Sequence, residues 1–103
     1  LFIAAAGNEP TTLPNYPAAY PEVLAVPAGG TTGLASYAHR GDFVDVIAPG
    51  SSIIQFGGRT YYVSGTSAST AYISGLAAGM KASTGASAAA LTGKLVEVFG
   101  VKK

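Results

Sequence analysis

The stretch SGTSASTAYISGLAAG, residues 64–79, joins a Gly-Thr-Ser turn to a segment made almost entirely of small residues. It predicts a helix from residue 67 to about residue 81, and a helix that is small and apolar on all sides is typically buried. Ser67 would begin this helix, where backbone N–H groups lack intrahelical acceptors and the helix dipole is positive. Such a place suits an oxyanion beside an attacking serine oxygen. Taken alone, the stretch favours a simple N-cap role for Ser67 or Thr66, because the nucleophile pattern G-x-S-x-G is absent.

The segments around this helix predict an α/β fold. Residues 1–6 are apolar throughout, which is typical of a strand buried on both faces of a parallel sheet. Turn-forming residues separate this strand from the elements that follow it. Those elements are a strand at 22–28, a strand at 44–48, a hairpin of 53–56 with 60–63, and a second helix from Ser87, its N-cap, to about residue 98.

Composition limits the function classes. The 103 residues suit one domain or part of one. Only 11% of them are charged, so part of the surface is expected to be covered by other protein. The net charge of +1 argues against nucleic acid or an anionic membrane as partner, and no apolar run reaches the roughly 20 residues of a membrane span. The chain contains no cysteine, which excludes disulfides and thiolate chemistry. Because it begins inside an apolar strand and without Met, we interpret it as a truncated or cleaved polypeptide.

A second polar residue follows the first strand. FIAAAGNE places Asn8 at the carboxyl end of a buried strand, where open α/β sheets carry their binding residues. The NH₂ group of an Asn is a donor suited to an oxyanion hole. A turn Asn beside Gly7 is the alternative.

Four stretches together, AAAGNE, YPAAYPEVLAV, VDVIAPG and SGTSASTAYISGLAAG, resemble the subtilisin-like serine proteases, the subtilases, in order and in rough spacing. The resemblance covers nearly the whole chain and implies the C-terminal portion of a three-layer, parallel-sheet catalytic domain over residues 1–103. It implies Ser67 as the nucleophile, with the Asn8 side chain and the Ser67 N–H as oxyanion donors.

The resemblance also implies binding residues. The substrate-binding set would be Ala5, Ala6, Gly7, Glu9, Asn15 and Thr66, where Glu9 either attracts a basic side chain or is a solvated turn carboxylate. No cofactor is required, but a weakly bound calcium or monovalent cation is expected at the carbonyls of Ala18, Tyr20 and Val23 with the Asp45 carboxylate. The alternative for Asp45 is that it caps a loop.

Two members of the family's catalytic triad have no counterpart here. In subtilases the catalytic Asp and His precede the Asn segment, so the expected partner is an upstream part of the same protease that carries both. The one histidine, His39, is expected in an exposed loop rather than as the base. The predicted function is hydrolysis of peptide bonds in a peptide or protein substrate, in a secreted or extracytoplasmic protein. The alternatives are a non-catalytic scaffold of the same fold and, disfavoured by the broken first strand, a free-standing small α/β binding domain.

Overall fold

The computed structural model describes residues 1–102. In chain order its elements are β1 (Phe2–Ala5), β2 (Val23–Val26), β3 (Gly29–Gly30), β4 (Gly33–Leu34), β5 (Ser51–Phe56), β6 (Arg59–Ser64), α1 (Thr66–Thr84) and α2 (Ala88–Phe99). Strands precede two packed helices, and the predicted α/β class is confirmed.

The parallel pair β1–β2 carries the first half of the core. Ile3 lies opposite Leu24 and Ala5 lies opposite Val26. Three of the four β2 residues are buried, but none of the β1 residues is, and Phe2 is 69% exposed. The prediction that the first strand is buried on both faces is therefore wrong for this polypeptide. Among residues 1–102, β1 has a single strand neighbour, so its other edge and part of its face are uncovered.

The prediction of a regular strand at residues 44–48 is also wrong. The segment is extended, but only two isolated bridges connect it to other backbone. Its N–H groups are divided between two partners: Val46 donates to the Ala25 oxygen and Ile47 donates to the Phe99 oxygen. Because one side is bonded to β2 and the other to the end of α2, no continuous ladder forms.

The predicted hairpin is confirmed and is longer than expected. β5 and β6 are antiparallel and are joined by Gly57 and Gly58, which have φ of 57° and 75°. Two successive positive φ values are those of the type I′ turn favoured in two-residue hairpins. The hairpin is largely exposed, and the cross-strand partners Ile53 and Tyr62 are 72% and 73% accessible.

Helix α1 begins one residue earlier than predicted and ends later. Gly65 is its N-cap, so Thr66 and Ser67 lie inside the first turn and the N-cap alternative for them is wrong. The helix ends at Gly85 in the left-handed conformation, whose N–H donates to the Lys81 oxygen. Burial follows one stripe, made of Thr66, Ser69, Ile73 and Ala77. The expectation of burial on all sides is wrong here, because the described elements pack against one side of the helix.

Helix α2 follows after a short turn and has the predicted N-cap. The Ser87 hydroxyl accepts a hydrogen bond of 3.2 Å from the Ala90 N–H. Leu91 and Leu95 on this helix are buried. The main core lies between β2, the extended segment and the two helices, and its buried members are Leu24, Val26, Val46, Ala48, Ile73, Ala77 and Leu95.

Candidate active site

Ser67 lies in the first turn of α1 and is exposed. As the second helical residue it has a backbone N–H without an intrahelical acceptor, and that N–H points outward from the helix end. Ser69, two residues farther along the helix, is fully buried. The Ser69 hydroxyl lies 3.1 Å from both the Ala48 and the Pro49 oxygens. Ser69 thus ties the start of the helix to the extended segment, a role that no motif in the sequence indicates.

A groove of about 660 Å³ runs beside Ser67 between the hairpin and α1. It is lined by Pro49, Ser51, Ser52, Ile54, Val63, Ser64, Ser67, Ala68, Ala71 and Tyr72. Ser67 is therefore accessible from a surface groove.

Asn8 is joined directly to the start of α1, although the two are far apart in sequence. The Thr66 N–H donates to Asn8 Oδ1 at 2.8 Å, and the Gly7 N–H donates to the Thr66 hydroxyl at 3.1 Å. A backbone N–H can only donate, so the oxygen of the Asn8 carboxamide must face Thr66. Its NH₂ group is therefore directed elsewhere. Asn8 is exposed, and within residues 1–102 no hydrogen bond from this group is found.

Gly65 makes room for that amide group. A Cβ placed on Gly65 would lie 3.2 Å from Asn8 Nδ2, and Gly65 has a φ of 124° that side-chain-bearing residues rarely adopt. Glycine at the N-cap thus allows the Asn8 carboxamide to approach the helix end, where the first-turn N–H groups also point. The Asn8 carboxamide and the outward-pointing Ser67 N–H thus lie at the same end of the helix.

The other residues predicted to bind substrate surround the same loop. Asn15 Nδ2 donates to the oxygen of Ala6 at 2.9 Å, and Ala6 itself is fully buried. Ala5 ends β1 immediately before this loop, and Glu9 follows it with its side chain exposed. The fold thus gathers Ala6, Gly7, Asn8, Asn15 and Thr66, and Glu9 is exposed next to them.

His39 is buried to 7% exposure, so the expectation of an exposed loop histidine is wrong. The backbone N–H of His39 donates to the Gly7 oxygen at 3.0 Å, and its ring Nδ1 accepts from the Glu9 N–H at 3.3 Å. No hydrogen bond joins it to Ser67 in the described part of the chain. No periodic pattern around His39 signals this burial, because the residues that enclose it are about 30 positions away.

Two of the four residues predicted to bind a cation have an oxygen that accepts a hydrogen bond from the backbone. Asp45 Oδ2 accepts from the Ala25 N–H at 2.8 Å, and the Tyr20 oxygen accepts from the Val23 N–H at 3.0 Å. Asp45 thus braces β2. Residues 1–102 contain no cluster of three or more His, Cys, Asp and Glu side chains. The cation at Ala18, Tyr20, Val23 and Asp45 stays a prediction.

An exposed serine at the start of a helix, close to the Asn8 carboxamide, is an arrangement that serine hydrolase chemistry can use. The comparisons with known proteins give the family of the chain. Residues 1–96 match the subtilase family, peptidase S8. The chain is 41% identical over 100 residues to the alkaline serine protease ver112 of Corniculantispora psalliotae, covering 92% of this chain and 26% of that protein. It is 43% identical over 89 residues to thermitase of Thermoactinomyces vulgaris, covering 84% of this chain and 32% of thermitase.

A solved structure shows the same fold. The prenylagaramide maturation protease PagA superposes with a TM-score of 0.72 and 32% identity over 84% of this chain and 35% of PagA. This chain belongs to the subtilase family, and its α/β fold is the subtilisin-like one. It spans about a quarter to a third of the length of these relatives. In the described residues, neither helix combines the length and the hydropathy needed to cross a membrane.

Proposed function

We propose that this chain supplies the nucleophile and the oxyanion hole of a serine endopeptidase. The observation that carries the proposal is the orientation of Asn8. Its Oδ1 is held by the Thr66 N–H, one residue before Ser67, and its NH₂ group has no acceptor among residues 1–102. A donor that is oriented in advance and left without an acceptor is what a developing oxyanion requires.

In the proposed reaction, Ser67 Oγ attacks the carbonyl carbon of a peptide bond. The hydroxyl proton passes to a histidine, and the negative charge develops on the carbonyl oxygen, toward which Asn8 Nδ2 and the Ser67 N–H donate. Collapse of this intermediate breaks the C–N bond, and the histidine returns the proton to the leaving amine. Water then hydrolyses the acyl-enzyme by the same route and restores Ser67.

The histidine and its orienting Asp are proposed to lie in an upstream part of the same protease. His39, the one histidine of this chain, has its Nδ1 on the Glu9 N–H rather than on Ser67, and the chain covers only 26% and 32% of two of its relatives. We therefore propose that residues 1–103 are the C-terminal part of the catalytic domain. We also propose, from the family resemblance, that the protease acts on peptide or protein substrates outside the cytoplasm.

The test is covalent labelling of the complete protease with a fluorophosphonate probe. A serine hydroxyl reacts with such a probe when a base activates it, so we expect one label per molecule, on Ser67. Ser67→Ala should abolish labelling. Ser74→Ala, which changes an exposed serine farther along the same helix, should not. A folded protease that leaves Ser67 unlabelled would establish the non-catalytic scaffold instead.

Two substitutions at Asn8 separate anchoring from donation. Asn8→Asp keeps an oxygen acceptor for the Thr66 N–H but removes the NH₂ group, and Asn8→Ala removes both. In subtilisin the loss of this donor costs about 10²–10³ in turnover, and we carry that value over to both variants. KM should change little, since the interaction develops in the transition state. Asn8→Asp with wild-type turnover would refute the oxyanion role.

A further inference from the structure

His39 forms hydrogen bonds to both chain neighbours of Asn8. Its backbone N–H donates to the Gly7 oxygen at 3.0 Å, and its ring Nδ1 accepts from the Glu9 N–H at 3.3 Å. One residue thus holds the backbone immediately before and immediately after the proposed oxyanion donor. Because Nδ1 is the acceptor, the neutral ring must carry its proton on Nε2.

The imidazole is fixed in place by packing as well as by these bonds. Its exposure is 7%, and the ring lies against the Cα of Gly7 so closely that a Cβ there would collide with Nδ1. Phe43 packs edge-on to the ring, with centroids 6.2 Å apart and planes inclined by 70°. A side chain in such surroundings cannot move away without disturbing the loop.

The loop that carries His39 is itself anchored at the next residue. The Arg40 N–H donates to the Thr11 oxygen at 3.0 Å, and its Nη2 donates to the Ala35 oxygen at 2.8 Å. The first bond connects the His39 loop to the chain just beyond Glu9. The position of His39 is therefore determined independently of the bonds that it makes to Gly7 and Glu9.

We propose that His39 is a positioning residue for the oxyanion hole: by holding Gly7 and Glu9, it sets the direction of the Asn8 amide. This inference rests on the proposed function of Asn8. Thr66 orients the carboxamide through Oδ1, and His39 fixes the backbone from which that side chain extends. The Thr66 bond and the His39 bonds are both needed, because a displacement of about 1 Å at a reacting centre can cost roughly 10²-fold in rate.

Substitutions of His39 can isolate the contribution of Nδ1. The backbone bond to the Gly7 oxygen survives any replacement except proline. Asn places its Oδ1 where His has Nδ1, since both atoms are bonded to Cγ, so His39→Asn retains an acceptor for the Glu9 N–H. His39→Leu has a similar volume and no acceptor. The two variants differ chiefly in the bond under test.

The experiment measures kcat, KM and amide exchange for wild type, His39→Asn and His39→Leu in the complete protease. We expect His39→Leu to lower kcat about 10-fold with KM within about 2-fold, because misdirection of Asn8 weakens transition-state binding alone. His39→Asn should retain kcat within about 3-fold, since it restores the acceptor. Exchange of the Glu9 amide should be slow in wild type and His39→Asn and faster in His39→Leu.

The outcomes distinguish this inference from the proposed function. Equal kcat in wild type and His39→Leu, or equal losses in both variants, would overturn the positioning role. So would a Glu9 amide that exchanges equally fast in all three proteins. A wild-type protease that is inactive and unlabelled at Ser67, with a Glu9 amide still protected by His39, would mean that the proposed function has failed and that the hydrogen bond is purely structural.

Discussion

At the scale of single residues, the loop at Gly7 leaves no space for a side chain. Gly7 has a φ of 121°, and a Cβ on it would contact His39 Nδ1 and lie 2.9 Å from Asn15 Nδ2. Both the backbone conformation and the close packing therefore require glycine. The next residue is Asn8, so strain introduced at Gly7 would be transmitted directly to the proposed oxyanion donor.

We predict that Gly7→Ala destabilises the complete protease by about 1–3 kcal/mol, because the positive φ and the collision with His39 both disfavour a Cβ. Gly75→Ala is the matched control. Gly75 lies inside α1, and a Cβ added to it would meet no atom within 4 Å, so alanine there should stabilise by up to about 1 kcal/mol. Denaturant titration gives the free energy of unfolding of each variant and thus measures both changes in stability. Equal stability of the two variants would contradict the close packing at Gly7.

At the scale of elements, the two helices differ in how they begin. α1 has Gly65 as its N-cap and no side-chain cap, so the Thr66 N–H donates to Asn8 and the Ser67 N–H has no intrahelical acceptor. α2 is capped conventionally, by the Ser87 hydroxyl on the Ala90 N–H. The helix at the candidate site thus leaves the Ser67 N–H uncapped, whereas α2 uses its own side-chain cap.

We predict that Ser87→Ala lowers the free energy of unfolding by about 1 kcal/mol, because it leaves the Ala90 N–H without its cap. Ser87→Asp should retain most of the stability, since a carboxylate oxygen also caps a helix and interacts favourably with the dipole. Ser83→Ala, an exposed change in the last turn of α1, is the control and should be nearly neutral. Thermal and denaturant unfolding measure these differences. A neutral Ser87→Ala would mean that tertiary packing alone holds the start of α2.

At the scale of the whole molecule, the described residues leave apolar surface uncovered beside β1. A groove of about 690 Å³ lies between β1, α1 and α2, and Leu1 and Phe2 at its edge are 45% and 69% exposed. The outer edge of β1 has no strand partner among residues 1–102. An open strand edge beside an apolar groove favours association with other protein.

We predict that the isolated 103-residue polypeptide self-associates and has no peptidase turnover. Phe2→Lys should reduce the association, because it places a charge on the open edge. Leu13→Lys should not, although Leu13 is also 69% exposed, because it lies in a loop and does not line the groove beside β1. Light scattering after size-exclusion chromatography, with a peptidase assay on the same fractions, tests this. A monodisperse monomer that unfolds cooperatively and cleaves peptides would refute it.

The elements that sequence patterns predicted correctly depend on short-range signals. The hairpin follows from Gly57 and Gly58 between two β-branched and aromatic runs, and the start of α2 follows from Ser87 before an amphipathic pattern. The family resemblance singled out Ser67 and Asn8 because motifs of a few residues carry it. The resemblance also implied Thr66 and Asn15 as substrate-binding residues, which stays a prediction. The structure shows that Thr66 bonds to Gly7 and Asn8 and that Asn15 bonds to Ala6.

By itself, then, the sequence determined the fold class, the order of most elements and the candidate nucleophile, because local propensity and short motifs carry that information. Only the tertiary structure decided that His39 is buried against Gly7, that residues 44–48 are divided between two partners, and that α1 buries a single stripe. Each of these depends on contacts between segments distant in the chain. The hydrogen bond from Thr66 to Asn8 spans 58 positions, and no local pattern encodes which distant atom a backbone N–H will meet.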